Sequence, residues 1–193
     1  MHYRSALSLV LFASALLAQA QIEVVVYLSS DHPPPSAVVH AMEQETEFLV
    51  APAGVHLAWK STPDSEVSGR IAMIRMAGQC RPEGALAAPG SQSLGQTQMI
   101  HGQVLPFAEV RCDAVRNVIA RGLRSAVASD REGLLGRALG RVLAHELYHI
   151  LLRTSSHGRS GLARPSQSSS DLLSERSGFT PSDSENLAAA GSR

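Results

Sequence analysis

The sequence predicts an α+β domain in which a mixed sheet packs on one long helix. Three observations carry this. Strand-like runs recur at 22–28, 55–60, 70–76 and 103–111. Leu135, Ala138, Leu139, Val142, Leu143, Leu147, Ile150 and Leu151 keep helical spacing through a stretch free of proline. A chain of 193 residues builds one ordinary core and leaves little room for a second.

The elements follow in order. Arg4, an apolar run over 6–17 and Ala18-Gln19-Ala20 read as a secretory signal peptide, residues 1–20, with Gln21 the first mature residue. The run is short for a membrane anchor, and no later stretch has the length and apolarity of a span. The mature chain is therefore expected outside the cytoplasm, secreted or periplasmic, and free of the membrane. Residues 22–28 are nearly continuous in apolar side chains and predict a buried strand. Three prolines at 33–35 close the next loop. Val38, Val39, Met42, Thr46, Leu49 and Val50 then share a helix face over 36–50, with Glu43, Glu45 and Glu47 toward solvent. Pro52 and Gly54 end that helix.

Alternation of Val55, Leu57 and Trp59 with His56, Ala58 and Lys60 predicts a half-buried strand. A third strand is expected at 70–76. Residues 79–98 are rich in Gly, Pro, Ser and Ala and read as a long surface loop. The strand-like run 103–111 contains Pro106, which assigns it to the edge of the sheet. Asp113 is placed to cap a helix running to about Ser125. Ser129 and Glu132 have the spacing of a capping box at the start of the long helix. Gly133, Gly136 and Gly140 weaken that helix and suggest close packing against the sheet. The domain is expected over 21–165. The Ser-rich stretch 166–193 reads as a partly disordered tail.

Lys plus Arg and Asp plus Glu both number 17, and no basic block occurs. That balance argues against nucleic acid and anionic membrane surfaces as partners. It says nothing of oligomeric state. Cys80 and Cys112 are the only cysteines. In an oxidising compartment they are expected to form a disulfide. The alternative is a thiolate ligand in a mixed Cys and His metal site.

The chemistry concentrates at His145-Glu146-Leu147-Tyr148-His149. On a helix, residues four apart share a face, one turn above each other. Two imidazoles so placed can ligate one tetrahedral zinc, and Glu146 can deprotonate a water held there. The surrounding helix is apolar. Burying two imidazoles and a carboxylate together without partners is costly, and a metal removes that cost. Tyr148 projects about a hundred degrees from His149 and is assigned to packing. His32, His40, His56 and His101 are scattered and read as surface or sheet-face residues.

This segment resembles the zincin metallopeptidases, and among them most closely the metzincin clan, whose pattern is HExxHxxGxxH. The chain reads HELYHILLRTSSHG, so the candidate third ligand, His157, comes two residues late. Leu152 stands where the clan has glycine, and Ser155 where it has the third His. Ala163, in Ser160-Gly161-Leu162-Ala163-Arg164-Pro165, stands where the clan's methionine turn would put Met. The resemblance implies a zincin-like mixed sheet with a Pro-containing edge strand, packed on an active-site helix. It implies zinc held by His145, His149 and His157, with Glu146 as catalytic base. It also implies a polypeptide substrate extended along the edge strand, with residues 104–110 the candidate. Were the helix to continue, His157 would lie about 12 Å along the axis from His149, so it must stop near Arg153 or Thr154 and turn back. The related gluzincin arrangement would use a distant carboxylate, Asp171 or Glu175. Two functions are compatible with this reading. One is a secreted zinc endopeptidase. The other is a secreted zinc-binding protein of the same fold without turnover.

Overall fold

The computed structural model describes residues 21–62, 69–84, 93–175 and 177–190. The expected signal peptide lies outside them. Five strands form one sheet: β1 (Ile22–Ser30), β2 (Val55–Lys60), β3 (Arg70–Ala77), β4 (Gly95–Ile100) and β5 (Gln103–Arg111). Their order is β2-β1-β3-β5-β4. The first four run parallel, and β4 returns antiparallel to β5. The helices are α1 (Ser36–Val50), α2 (Cys112–Val118), α3 (Ala120–Ser125), α4 (Arg131–Leu152), α5 (Ser169–Leu173) and α6 (Pro181–Ala190). Strand β1 is buried on both faces through Val24, Val25, Val26 and Tyr27, as its unbroken apolar run requires. Among the described residues no helix is long and apolar enough to cross a membrane.

The edge of the sheet differs from expectation. Strand β5 lies inside it, and β4, drawn from the stretch read as loop, forms the edge. Pro106 is accommodated without an edge position. Pairing of β4 with β5 shifts register between Thr97 and Met99, and pairing of β3 with β5 begins only at Phe107. Pro106 sits in that irregularity, where no ladder N–H is required.

Helix α4 is the centre of the core. Leu135, Leu139, Leu143 and Leu147 are fully buried, against a sheet face made by Val24, Val26, Ala72, Ile74, Met76, Ala108 and Val110. Each buried leucine stabilises the fold by roughly 1.5–3 kcal/mol. The glycines do allow close packing, but against α1 rather than the sheet. A Cβ on Gly136 would stand 2.5 Å from the Val38 carbonyl oxygen, and one on Gly140 2.6 Å from that of Met42. Gly133 has nothing within 4 Å. The capping box expected from Ser129 and Glu132 does not form. Residues Ala128–Asp130 make a 3-10 turn, so α4 starts after Ser129, with Asp130 at its cap and no side-chain cap bond. The single helix expected up to Ser125 is two, α2 and α3, with Ile119 between them.

The described part of the Ser-rich segment, expected as a partly disordered tail, is folded onto the domain. Ser168 and Asp171 form a capping box for α5, and Leu172 and Leu187 are fully buried. Arg141 of α4, itself buried, donates from Nε to Glu45 of α1 at 2.6 Å and from Nη1 to the Asp171 carbonyl at 2.9 Å. It clamps α1 and α5 to the central helix and draws Glu45 out of solvent. Sparse apolar positions in a serine-rich context hid these contacts from composition. Cys80 and Cys112 form a buried disulfide, with Cα atoms 4.8 Å apart. It ties the loop after β3 to the start of α2, so neither sulfur is available to a metal.

Candidate metal centre

His145, Glu146 and His149 enter the site from the C-terminal half of α4, where the helix is buried throughout. The helix stops after Leu152. Arg153 adopts the left-handed conformation at φ 51°, and Thr154 N–H donates to the His149 carbonyl at 3.1 Å. An arginine thus takes the role usually given to glycine at a helix end, at a cost of roughly 1–2 kcal/mol. The chain then doubles back. His157 stacks on His145 with ring centroids 5.3 Å apart and meets His149 edge-on at 4.7 Å. One ligand atom from each of the three histidines lies within 4.8 Å of the others.

Backbone carbonyls fix the tautomers on the helix. His145 Nδ1 donates to the Leu162 carbonyl at 2.7 Å, and His149 Nδ1 donates to that of Thr154 at 2.8 Å. A carbonyl can only accept, so the proton of each neutral ring sits on Nδ1 and the lone pair on Nε2. The two Nε2 atoms face each other at 3.0 Å. Both rings resist protonation. Burial pushes His145 down to about 4, with the neighbouring His149 and His157 adding to it against the Leu162 bond. Burial likewise lowers His149. Two lone pairs at that distance have no proton to share, which is the donor set a cation completes. The site therefore fits a metal ion.

Glu146 is 4% exposed and reaches the edge strand. Thr97 Oγ1 donates to its Oε2 at 2.6 Å. Burial raises the carboxyl to about 7, with the Thr97 bond opposing the shift. The three histidines, Glu146 and strand β4 all line one cleft of about 640 Å³. Val118, Val142, Arg164 and Gln167 also line it.

The turn at 160–165 is hydrogen-bonded to the centre. Leu162 offers its carbonyl to His145, and its N–H donates to the Gly178 carbonyl at 2.8 Å. Gly158 N–H donates to the Ala163 carbonyl at 2.8 Å, and Gly161 turns the chain at φ 68°. Ala163 is fully buried in this turn.

Other candidates lie elsewhere. Asp171 is committed to Ser168 and pairs with Arg164 at 2.5 Å, and Glu175 is not part of the cluster. Tyr148 stacks on Phe179, with centroids 5.6 Å apart. His32, His40, His56 and His101 are exposed. Gly95 and Thr97 join the site from the stretch read as loop, and the carbonyls of Thr154 and Leu162 join it with no side-chain signal in the sequence. No family model matches the chain, and no curated protein matches it in sequence.

Proposed function

We propose that this chain is a secreted zinc-dependent endopeptidase of zincin type. The observation that carries the reading is the pair of Nε2 lone pairs on His145 and His149, joined by His157 and flanked by Glu146 in one cleft. Three imidazoles beside an open cleft suit a catalytic rather than a closed structural zinc site. The signal-like N-terminus and the buried disulfide support an oxidising compartment.

Zinc, when bound, would polarise a scissile carbonyl and acidify a water. The protein supplies the rest. His145 and His149 are held in register by the Leu162 and Thr154 carbonyls. Glu146 takes a proton from the attacking water and passes it to the leaving amine. Strand β4 lies at the sheet's edge and lines the cleft, and an extended polypeptide would add to it as a further strand. The candidate substrate strand is therefore β4, in place of residues 104–110.

The competing reading, a zinc-binding protein without turnover, draws on Leu152 and Ala163 at positions where the resembled clan has Gly and Met. Cleavage of an unfolded protein by metal-loaded mature chain decides between them. Wild type should cleave and be stopped by a chelator. Glu146→Gln should retain zinc and lose roughly two or more orders of magnitude in rate. Chelator-sensitive cleavage undiminished in Glu146→Gln would sink the mechanism, and zinc-loaded wild type without cleavage would favour the binding protein.

A further inference from the structure

The orientation of the Glu146 carboxylate is set from outside its own helix. Thr97 Oγ1 lies 2.6 Å from Oε2 and 3.4 Å from the Glu146 carbonyl oxygen. A hydroxyl has one proton, and the shorter, charge-assisted contact claims it. Gly95 stands two residues before Thr97 on β4. Residues two apart on a strand point to the same side, and here that side faces α4. A Cβ on Gly95 would stand 2.5 Å from Glu146 Oε1 and 2.9 Å from Cδ. Gly95 is not among the glycines with positive φ. Its backbone does not call for glycine, and what it supplies is room. Two residues of one strand thus act on the two oxygens of one carboxylate.

We propose that Thr97 is a positioning residue for Glu146. Its hydroxyl holds Oε2 and so fixes the carboxylate plane, while Gly95 leaves Oε1 the space to face the cleft. The inference rests on the reading of Glu146 as general base. It places control of that base on β4, the strand along which a polypeptide substrate would lie. A strand displaced by poor pairing would carry Thr97 with it, so substrate alignment and base alignment become one event.

The test compares full-length mature wild type with Thr97→Val, Thr97→Ser and Gly95→Ala. Valine keeps the shape of threonine and removes the hydroxyl, and serine restores it. The first readout is independent of turnover. In crystals of Thr97→Val, Glu146 should leave its wild-type rotamer or split between two, and in Thr97→Ser it should return. The second is steady-state cleavage by zinc-loaded protein. Loss of one hydrogen bond to a charged group should lower kcat about tenfold or more in Thr97→Val. KM should stay within about twofold, the signature of an interaction used in the transition state. Thr97→Ser should recover most of kcat, and Gly95→Ala should displace Glu146 and lose kcat. An unmoved Glu146 in Thr97→Val overturns the proposal, as does a loss that serine fails to restore. If wild type cleaves nothing, the endopeptidase reading fails on its own, and the crystallographic comparison still decides the role of Thr97.

Discussion

His145 Nε2 and His149 Nε2 face each other at 3.0 Å while both Nδ1 atoms donate to backbone carbonyls. Neither Nε2 carries a proton in that state, so the approach is repulsive without a cation. Metal binding should therefore stabilise the fold. At a hundredfold excess of zinc over its dissociation constant, the gain should be about 2.7 kcal/mol. Thermal unfolding with and without zinc measures it. His157→Ala should remove most of the gain, whereas Asp171→Ala and Glu175→Ala should keep it. An equal zinc response in His157→Ala would remove that histidine from the ligand set.

The glycines of α4 should respond in opposite directions. Gly133 faces open space, so Gly133→Ala should stabilise by about 0.5–1 kcal/mol through helix propensity. Gly140→Ala would place a Cβ 2.6 Å from the Met42 carbonyl oxygen and 2.8 Å from Glu45 Cβ. It should destabilise by roughly 1–3 kcal/mol as α1 is forced away. Chemical denaturation of the two variants checks both signs, and a stabilised Gly140→Ala would contradict the close α1–α4 contact.

The C-terminal segment should matter to the metal centre. Gly178 accepts from Leu162, and Leu162 in turn accepts from His145. Truncation after Pro165 also exposes the surfaces that Leu172 and Leu187 cover. The truncated chain should be less stable by several kcal/mol, on the order of two buried leucines, and should bind zinc more weakly. Unchanged unfolding and unchanged zinc affinity would return the segment to the role of a detachable tail.

Acid should loosen α5. The Ser168 hydroxyl holds the Asp171 carboxyl below the usual range, and the Arg164 guanidinium adds to the effect against partial burial. A lowered folded value means stability that is fully present above the unfolded value and is lost as pH falls through the folded one. Asp171→Asn should be less stable than wild type at neutral pH and should lose less on going from about pH 6 to about pH 3. Parallel pH dependence of Tm in the two proteins would show that this carboxylate is not a source of acid sensitivity.

Periodicity and local chemistry specify a definite part of this molecule. A continuous β-branched run placed β1, alternation placed β2, strand-like runs placed β3 and β5, and helical spacing placed α1 and α4. The spacing of His145 and His149 set two imidazoles on one helix face whatever surrounds them. Two cysteines in a chain with a signal-like start pointed to the Cys80–Cys112 bridge. The rest depends on contacts between distant segments. Strand β4 hides in a Gly- and Ser-rich stretch, because an edge strand buries little and needs no apolar alternation. Pro106 pointed to an edge, yet a register shift between neighbours absorbed the missing N–H. The return of His157 depends on Arg153 accepting a left-handed conformation that composition does not announce. The groups that orient the site are a Thr97 hydroxyl, the space at Gly95, and the carbonyls of Leu162 and Thr154. Every residue has a carbonyl, and a hydroxyl or an absent side chain acquires its role from what lies opposite. Glu146 and Thr97 are 49 residues apart, and only folding brings them together.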